Sequence, residues 1–188
     1  HTIDTDINDQ EILSYSFDGD SGTTVQDMTG LNPPGVASGG VTFSSSDTPT
    51  GFGRAAVFPA GAYVRTPYTL PLSGHDFTIT LWVKTTSSGR TGGIANAGGA
   101  DGFRFSLTDG AIYYLAGGVG GTNYSEGSCG GSNLNDGTWH NIVGVFKLSA
   151  NQVICYADGQ RVGQATLPGT ITSMTNQVAQ MGTPTCCN

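Results

Sequence analysis

The sequence predicts an all-β fold in which two antiparallel sheets pack face to face as a sandwich, and three observations carry that prediction. Residues 135–159 (NDGTWHNIVGVFKLSANQVICYADG) hold two apolar runs, 139–146 and 153–156, rich in β-branched and aromatic residues and bracketed by Asp136-Gly137 and Asp158-Gly159. That is the sequence form of a β-hairpin, and neither run keeps the 3.6-residue period of a helix. Residues 76–84 alternate Phe77, Ile79, Leu81 and Val83 with Thr78, Thr80, Trp82 and Lys84, the two-residue period of a strand with one buried face. Thirty Gly, many Ser and Thr and few long charged side chains along 188 residues suit short strands joined by tight turns. A chain of this length fits one domain and buries roughly two-thirds of its unfolded surface.

Taken in order, residues 1–10 (HTIDTDINDQ) are a leader in which Thr2, Asp4 and Asp6 alternate with Ile3, Thr5 and Ile7, a pattern that suits an extended strand. The sandwich then spans 11–188. Residues 11–17 read as its first strand, with Leu13, Tyr15 and Phe17 on the core face. Residues 18–32 (DGDSGTTVQDMTGLN) form an acidic, Gly-bearing loop. Calcium takes about 6–8 oxygen ligands, and Asp18, Asp20 and Asp27, with loop carbonyls such as those of Ser21 and Thr23, are a candidate half-shell. Asp and Gly also serve simply as turn formers. Short strands alternate with Ser, Pro and Gly breaks over 41–64, and 76–84 reads as the central strand. Trp82, on its polar face, is either covered by a loop or a platform for a sugar ring. Residues 89–99 are Gly-rich and loop-forming, Phe103, Phe105 and Leu107 alternate in a strand, and 111–115 follow after the Asp109-Gly110 turn. Residues 119–132 are the longest expected surface loop and carry Asn123-Tyr124-Ser125, an N-glycosylation acceptor pattern at Asn123. Residues 177–181 read as a last short strand.

Cys129, Cys155, Cys186 and Cys187 lack metal-ligand spacing and predict disulfides in an oxidising compartment, secreted or at the cell surface. Cys186 and Cys187 are adjacent and bond to each other only through a strained ring, so Cys129 and Cys155 are each expected to pair with one tail cysteine.

Four segments in this order, 13–30 (LSYSFDGDSGTTVQDMTG), 53–67 (GRAAVFPAGAYVRTP), 76–86 (DFTITLWVKTT) and 134–163 (with LNDGTWHNIVGVF and VICYADGQRVG), resemble laminin G-like domains of the concanavalin A-like lectin/glucanase superfamily. The resemblance implies a jelly-roll sandwich and a structural Ca²⁺ in the acidic loop. It leaves function wide, because lectins, carbohydrate-binding modules, hydrolases and adhesive spacers share the fold. Domains of this kind usually end in a strand of the form Gly-x-Ile-Asp-Glu-Val-x-Ile-Tyr beside the opening strand. Nothing after Met181 fits it, so the sheet is expected to have a gap beside residues 12–17.

A net charge of −7 argues against nucleic acid and anionic membranes as partners, and no apolar run approaches the roughly 20 residues of a transmembrane helix. Retaining glycosidases need two carboxyls about 5–5.5 Å apart. The chain has two Glu, Glu11 and Glu126, far apart in sequence, so a non-enzymatic role is expected. Two functions remain. In the first, a self-assembling extracellular subunit, the leader of one copy fills the gap in the next, with Ile3 and Ile7 in the core and Asp4 and Asp6 beside it. Such strand donation is head-to-tail and gives a ring or a filament. The alternative is a Ca²⁺-stabilised module that binds a polysaccharide or glycoprotein, with Tyr113, Tyr114 and Tyr124 as stacking candidates.

Overall fold

Apolar residues spaced two apart bury one face of each strand, and here they do so in two sheets that share a core. The computed structural model describes residues 11–72, 74–96, 102–117, 124–169, 171 and 178–182. The larger sheet runs in the order β1 (Thr24–Val25), β2 (Gly35–Ser38), β5 (Tyr63–Thr69), β14 (Val178–Gly182), β7 (Arg90–Asn96), β8 (Phe103–Thr108), β9 (Ala111–Gly117), β10 (Tyr124–Gly130). The smaller runs β13 (Gln160–Thr166), β12 (Gln152–Ala157), β11 (His140–Lys147), β6 (Phe77–Val83), and β3 (Thr42–Ser44) pairs with β4 (Ala55–Val57) as a separate ribbon. Pairing among the described residues is antiparallel throughout.

The alternating apolar residues meet between the sheets. Phe103, Phe105 and Leu107 of β8 and Ile112 and Tyr114 of β9 pack against Ile142 and Phe146 of β11 and Val153 of β12, all buried. Phe77 stacks on Phe146 with ring centroids 4.7 Å apart, and Phe105 meets the same ring edge-on at 6.2 Å. Val25, Ala37, Val41, Ala62 and Val64 form a smaller second cluster. The predicted hairpin is β11–β12, in register from Ile142↔Ala157 to Lys147↔Gln152.

Four expectations need correction. Residues 11–17 form no strand. A strand exists through its ladder, and here the backbone bonds are scattered: Ser14 donates its N–H to Asp27 Oδ1 and accepts the Met28 N–H, the Ile12 carbonyl accepts the Asn32 amide and the Phe17 carbonyl accepts the Asp20 N–H. Phe17 then turns into the left-handed region at φ 66°. Residues 76–84 lie not at the centre of a sheet but at its edge: β6 pairs only with β11 among the described residues, and its inward Phe77, Ile79, Leu81 and Val83 are half-buried. The Gly-rich stretches read as loops contain β7 and β10, because neighbouring β8, β9 and β14 supply their ladders whatever their own apolar content. Finally, Cys129 bonds Cys155 rather than a tail cysteine, with the Cα atoms 6.0 Å apart. Both side chains point into the core from opposite sheets, Cys129 at 2% and Cys155 at 0% exposure, so each already faces the other. Cys186, Cys187, Asn123, Ile3, Asp4, Asp6 and Ile7 lie outside the described residues.

Candidate functional site

With one face of the eight-stranded sheet given to the core, its alternate residues face outward. Register lines them up across the sheet: Arg65 of β5 opposes Gln180 of β14, which opposes Ala95 of β7, then Arg104 of β8, Leu115 of β9 and Glu126 of β10. Arg65 donates from Nε and Nη2 to Gln180 Oε1 at 3.1 and 2.7 Å and lies 5.1 Å over the Tyr63 ring. Arg104 is fully out of solvent, pairs with Glu126 at 3.0 Å and lies 5.2 Å over the Tyr113 ring, which Arg90 approaches at 5.8 Å. Burial, then the Glu126 carboxylate, raises the Tyr113 phenol above its ordinary value against the opposing pull of Arg104 and Arg90. Its hydroxyl therefore stays protonated and able to donate. Ser106, in the same outward file on β8, is fully buried with a hydroxyl that has no hydrogen-bond partner among the described residues. The result is a row of guanidinium, amide and carboxylate groups held in place by stacking tyrosines.

The residues singled out from sequence fare differently. Tyr114 is core, its hydroxyl 2.9 Å from Ser125 Oγ, whereas Tyr124 is half exposed on β10. Trp82 is 42% exposed and meets Phe52 edge-on at 6.1 Å, so it is covered by a single ring on that side. In the acidic loop, Asp18 Oδ1 accepts the N–H groups of Gly53 and Arg54 at 2.9 and 2.8 Å, and Asp20 Oδ1 accepts that of Gln26 at 2.9 Å. Asp27 takes four bonds, from the N–H groups of Ser14 and Thr29, the Thr29 hydroxyl and the Asn32 amide. Burial would raise its pKa, but those bonds outweigh burial and hold the carboxyl below its usual range. The Thr23 carbonyl accepts the Ala37 N–H and Ser21 bridges to Thr24. These oxygens thus take protein donors from the loop and from Ser14, Gly53 and Arg54 beside it, and no three His, Cys, Asp or Glu side chains among the described residues gather into a group that could hold a metal. A three-carboxylate cage does not fit the loop as folded.

Arg65, Gln180 and Arg104 were not apparent as a set from sequence, because cross-strand rows depend on register. One signal was visible. Arg104 breaks the apolar run FRFSL as the alternate residue of a buried strand, where a charge needs a fixed partner.

A sandwich with a polar, arginine- and tyrosine-bearing outer face has the form of a lectin-type module. The match of a laminin G-like family model over residues 58–184 places the chain in the concanavalin A-like lectin/glucanases superfamily, to which it belongs. A comparison with curated protein sequences finds no match. Among solved structures, the botulinum neurotoxin serotype C1 binding domain is similar with a TM-score of 0.64 at 13% identity, covering 94% of this chain and 43% of that one. The binding domain of botulinum neurotoxin DC in complex with rat synaptotagmin II gives 0.62 at 13%, over 93% and 44%. That of Paraclostridial Mosquitocidal Protein 1 gives 0.58 at 13%, over 87% and 46%. These identities show the shared fold, and the chain spans less than half the length of those binding domains. Among the described residues no helix is long and apolar enough to cross a membrane.

Proposed function

We propose that the chain is a non-enzymatic extracellular binding module that takes a glycan, free or on a glycoprotein, on the outward face of its eight-stranded sheet. The observation that carries this reading is the accessible set Tyr63, Arg65, Tyr113 and Glu126, held in place by Gln180 and Arg104, which are themselves buried. The Arg65 guanidinium matches hydroxyl and carboxylate oxygens, and tyrosine offers a flat apolar surface with a polar tip to a sugar ring. The likeness to binding domains supports it: that of botulinum neurotoxin DC has also been solved in complex with SialylT. The Cys129–Cys155 bond suits an oxidising, extracellular compartment. The test is binding of neutral and acidic oligosaccharides by the intact chain and by Arg65→Ala and Tyr113→Ala. Each substitution is expected to weaken binding about tenfold or more without changing the fold, as loss of one charged hydrogen-bonding or stacking contact does. Binding that neither substitution alters would contradict the reading.

A second reading, an extracellular subunit that assembles head-to-tail into a filament by N-terminal strand donation, is favoured by one observation, the half-buried edge strand β6, paired with β11 alone among the described residues.

A further inference from the structure

The inner face of β6 differs from the neighbouring strand in the core. Phe77, Ile79, Leu81 and Val83 are only half-buried, whereas Ile142 and Phe146 beside them on β11 are fully buried. What leaves them open is a groove of about 2060 Å³ that follows β6 and is lined also by Leu13 and Tyr15. The backbone of β6 is paired on the β11 side only, among the described residues. An apolar face and a free row of backbone groups together form a template for one more strand, and proteins rarely leave such an edge uncovered.

We propose that this groove accepts residues 2–8 of a second copy of the chain as a fifth strand of the smaller sheet. The proposal rests on the assembling-subunit reading and names its joint. Two features select the occupant. Residues 2–7 alternate so that Ile3, Thr5 and Ile7 share one face and Thr2, Asp4 and Asp6 the other, as a strand with one side in a core requires. The leader also carries three Asp and no Lys or Arg. The groove, in a chain of net charge −7, is lined by Arg54, Lys84 and Lys147 against Glu11, Asp47 and Asp76, the Arg90 guanidinium being turned to Tyr113, so it is balanced in charge where the molecule is anionic. With Ile3 and Ile7 against Ile79 and Leu81, Asp4 and Asp6 fall on the side of Thr80, Trp82 and Lys84. A donor from another copy is favoured over the chain's own leader because residues 11–17 already line the groove. The leader would have to reverse within Asn8-Asp9-Gln10, which has no Gly for a tight hairpin turn. Donation of this kind is head-to-tail and propagates.

The test uses the full chain. Particle size by light scattering and native mass spectrometry is followed against concentration for the wild type and for Ile3→Asp with Ile7→Asp, and a synthetic peptide of residues 1–9 is titrated into the variant. The expected result is a wild type that assembles and a variant that remains monomeric with its disulfide and circular dichroism intact. That variant binds the peptide and melts higher with it, while a peptide carrying both Asp changes binds more than about a hundredfold more weakly, since two buried Ile are lost. A monomeric wild type together with peptide uptake by the variant would mean that each copy fills its own groove, overturning the second-copy occupant and the assembling reading with it. Wild type and variant assembling alike, with no peptide uptake, would overturn the groove as acceptor and leave assembly standing on another contact. If the doubly charged variant precipitates, Ile3→Ser with Ile7→Ser takes its place, and the same particle sizes and peptide titration decide between these outcomes.

Discussion

His140 opens β11 with its imidazole between two carboxylates, Nδ1 2.8 Å from Asp158 Oδ2 and Nε2 3.2 Å from Asp136 Oδ1. Thr138, through its hydroxyl and N–H, and then His140 hold Asp136 down at about 2, so that carboxylate is charged throughout the neutral range. Burial alone would lower the His140 pKa, but its bonds to Asp158 and Asp136 outweigh burial and raise it. The folded state therefore favours the protonated ring. Its contribution is complete below the unfolded pKa near 6.5 and is lost as pH rises through the higher folded value. The melting-temperature gap between wild type and His140→Ala is expected to be larger at about pH 5.5 than at about pH 8.5, and a gap independent of pH would contradict the pairing. The crowding of Asp18, Asp20 and Asp27 in sequence suggests calcium on the 18–32 loop. Since each of these carboxylates already accepts hydrogen bonds from protein donors, Gly53 among them, excess chelator is expected to leave the melting temperature unchanged. A fall that added Ca²⁺ reverses would instead establish the ion by linkage.

At the scale of elements, strands with alternating apolar residues were legible, and strands held by their neighbours were not. β8, β9, β11, β12 and β14 follow from period and turns alone. The polar or Gly-rich β7, β10 and β13 do not, because a strand between good partners needs no apolar signal of its own. Period also cannot tell an edge from a centre, which is why β6 reads as central. Nor can it tell which cysteines face each other, since that depends on how the sheets stack. The close approach at the disulfide end shows the stacking directly: a Cβ on Gly163 of β13 would collide with the Cys129 carbonyl of β10. Backbone on both sides leaves little room to relax, so Gly163→Ala is expected to cost about 1–3 kcal/mol. Gly127→Ala on β10, whose nearest neighbour is the Tyr114 ring at 3.9 Å, is the control and is expected to stay within about 0.5 kcal/mol. Equal melting temperatures for the two variants would show that the sheets do not meet as described.

For the whole molecule, the two proposals place two kinds of work on two surfaces. The inner faces of the sheets make the core, with β6 paired on its β11 side only among the described residues, while the outer face of the larger sheet carries the arginine–tyrosine row. The fold class was legible from the hairpin, the β6 alternation and the family-like segments. The candidate site was not, because Arg65, Gln180, Arg104 and Glu126 lie far apart in sequence and become neighbours only through register. The most direct test of the binding face is NMR chemical-shift mapping of the intact chain titrated with neutral and acidic oligosaccharides. Shifts concentrated at Tyr63, Arg65, Tyr113 and Glu126 are the predicted result; shifts confined to the 18–32 loop, with those four unmoved, would contradict it.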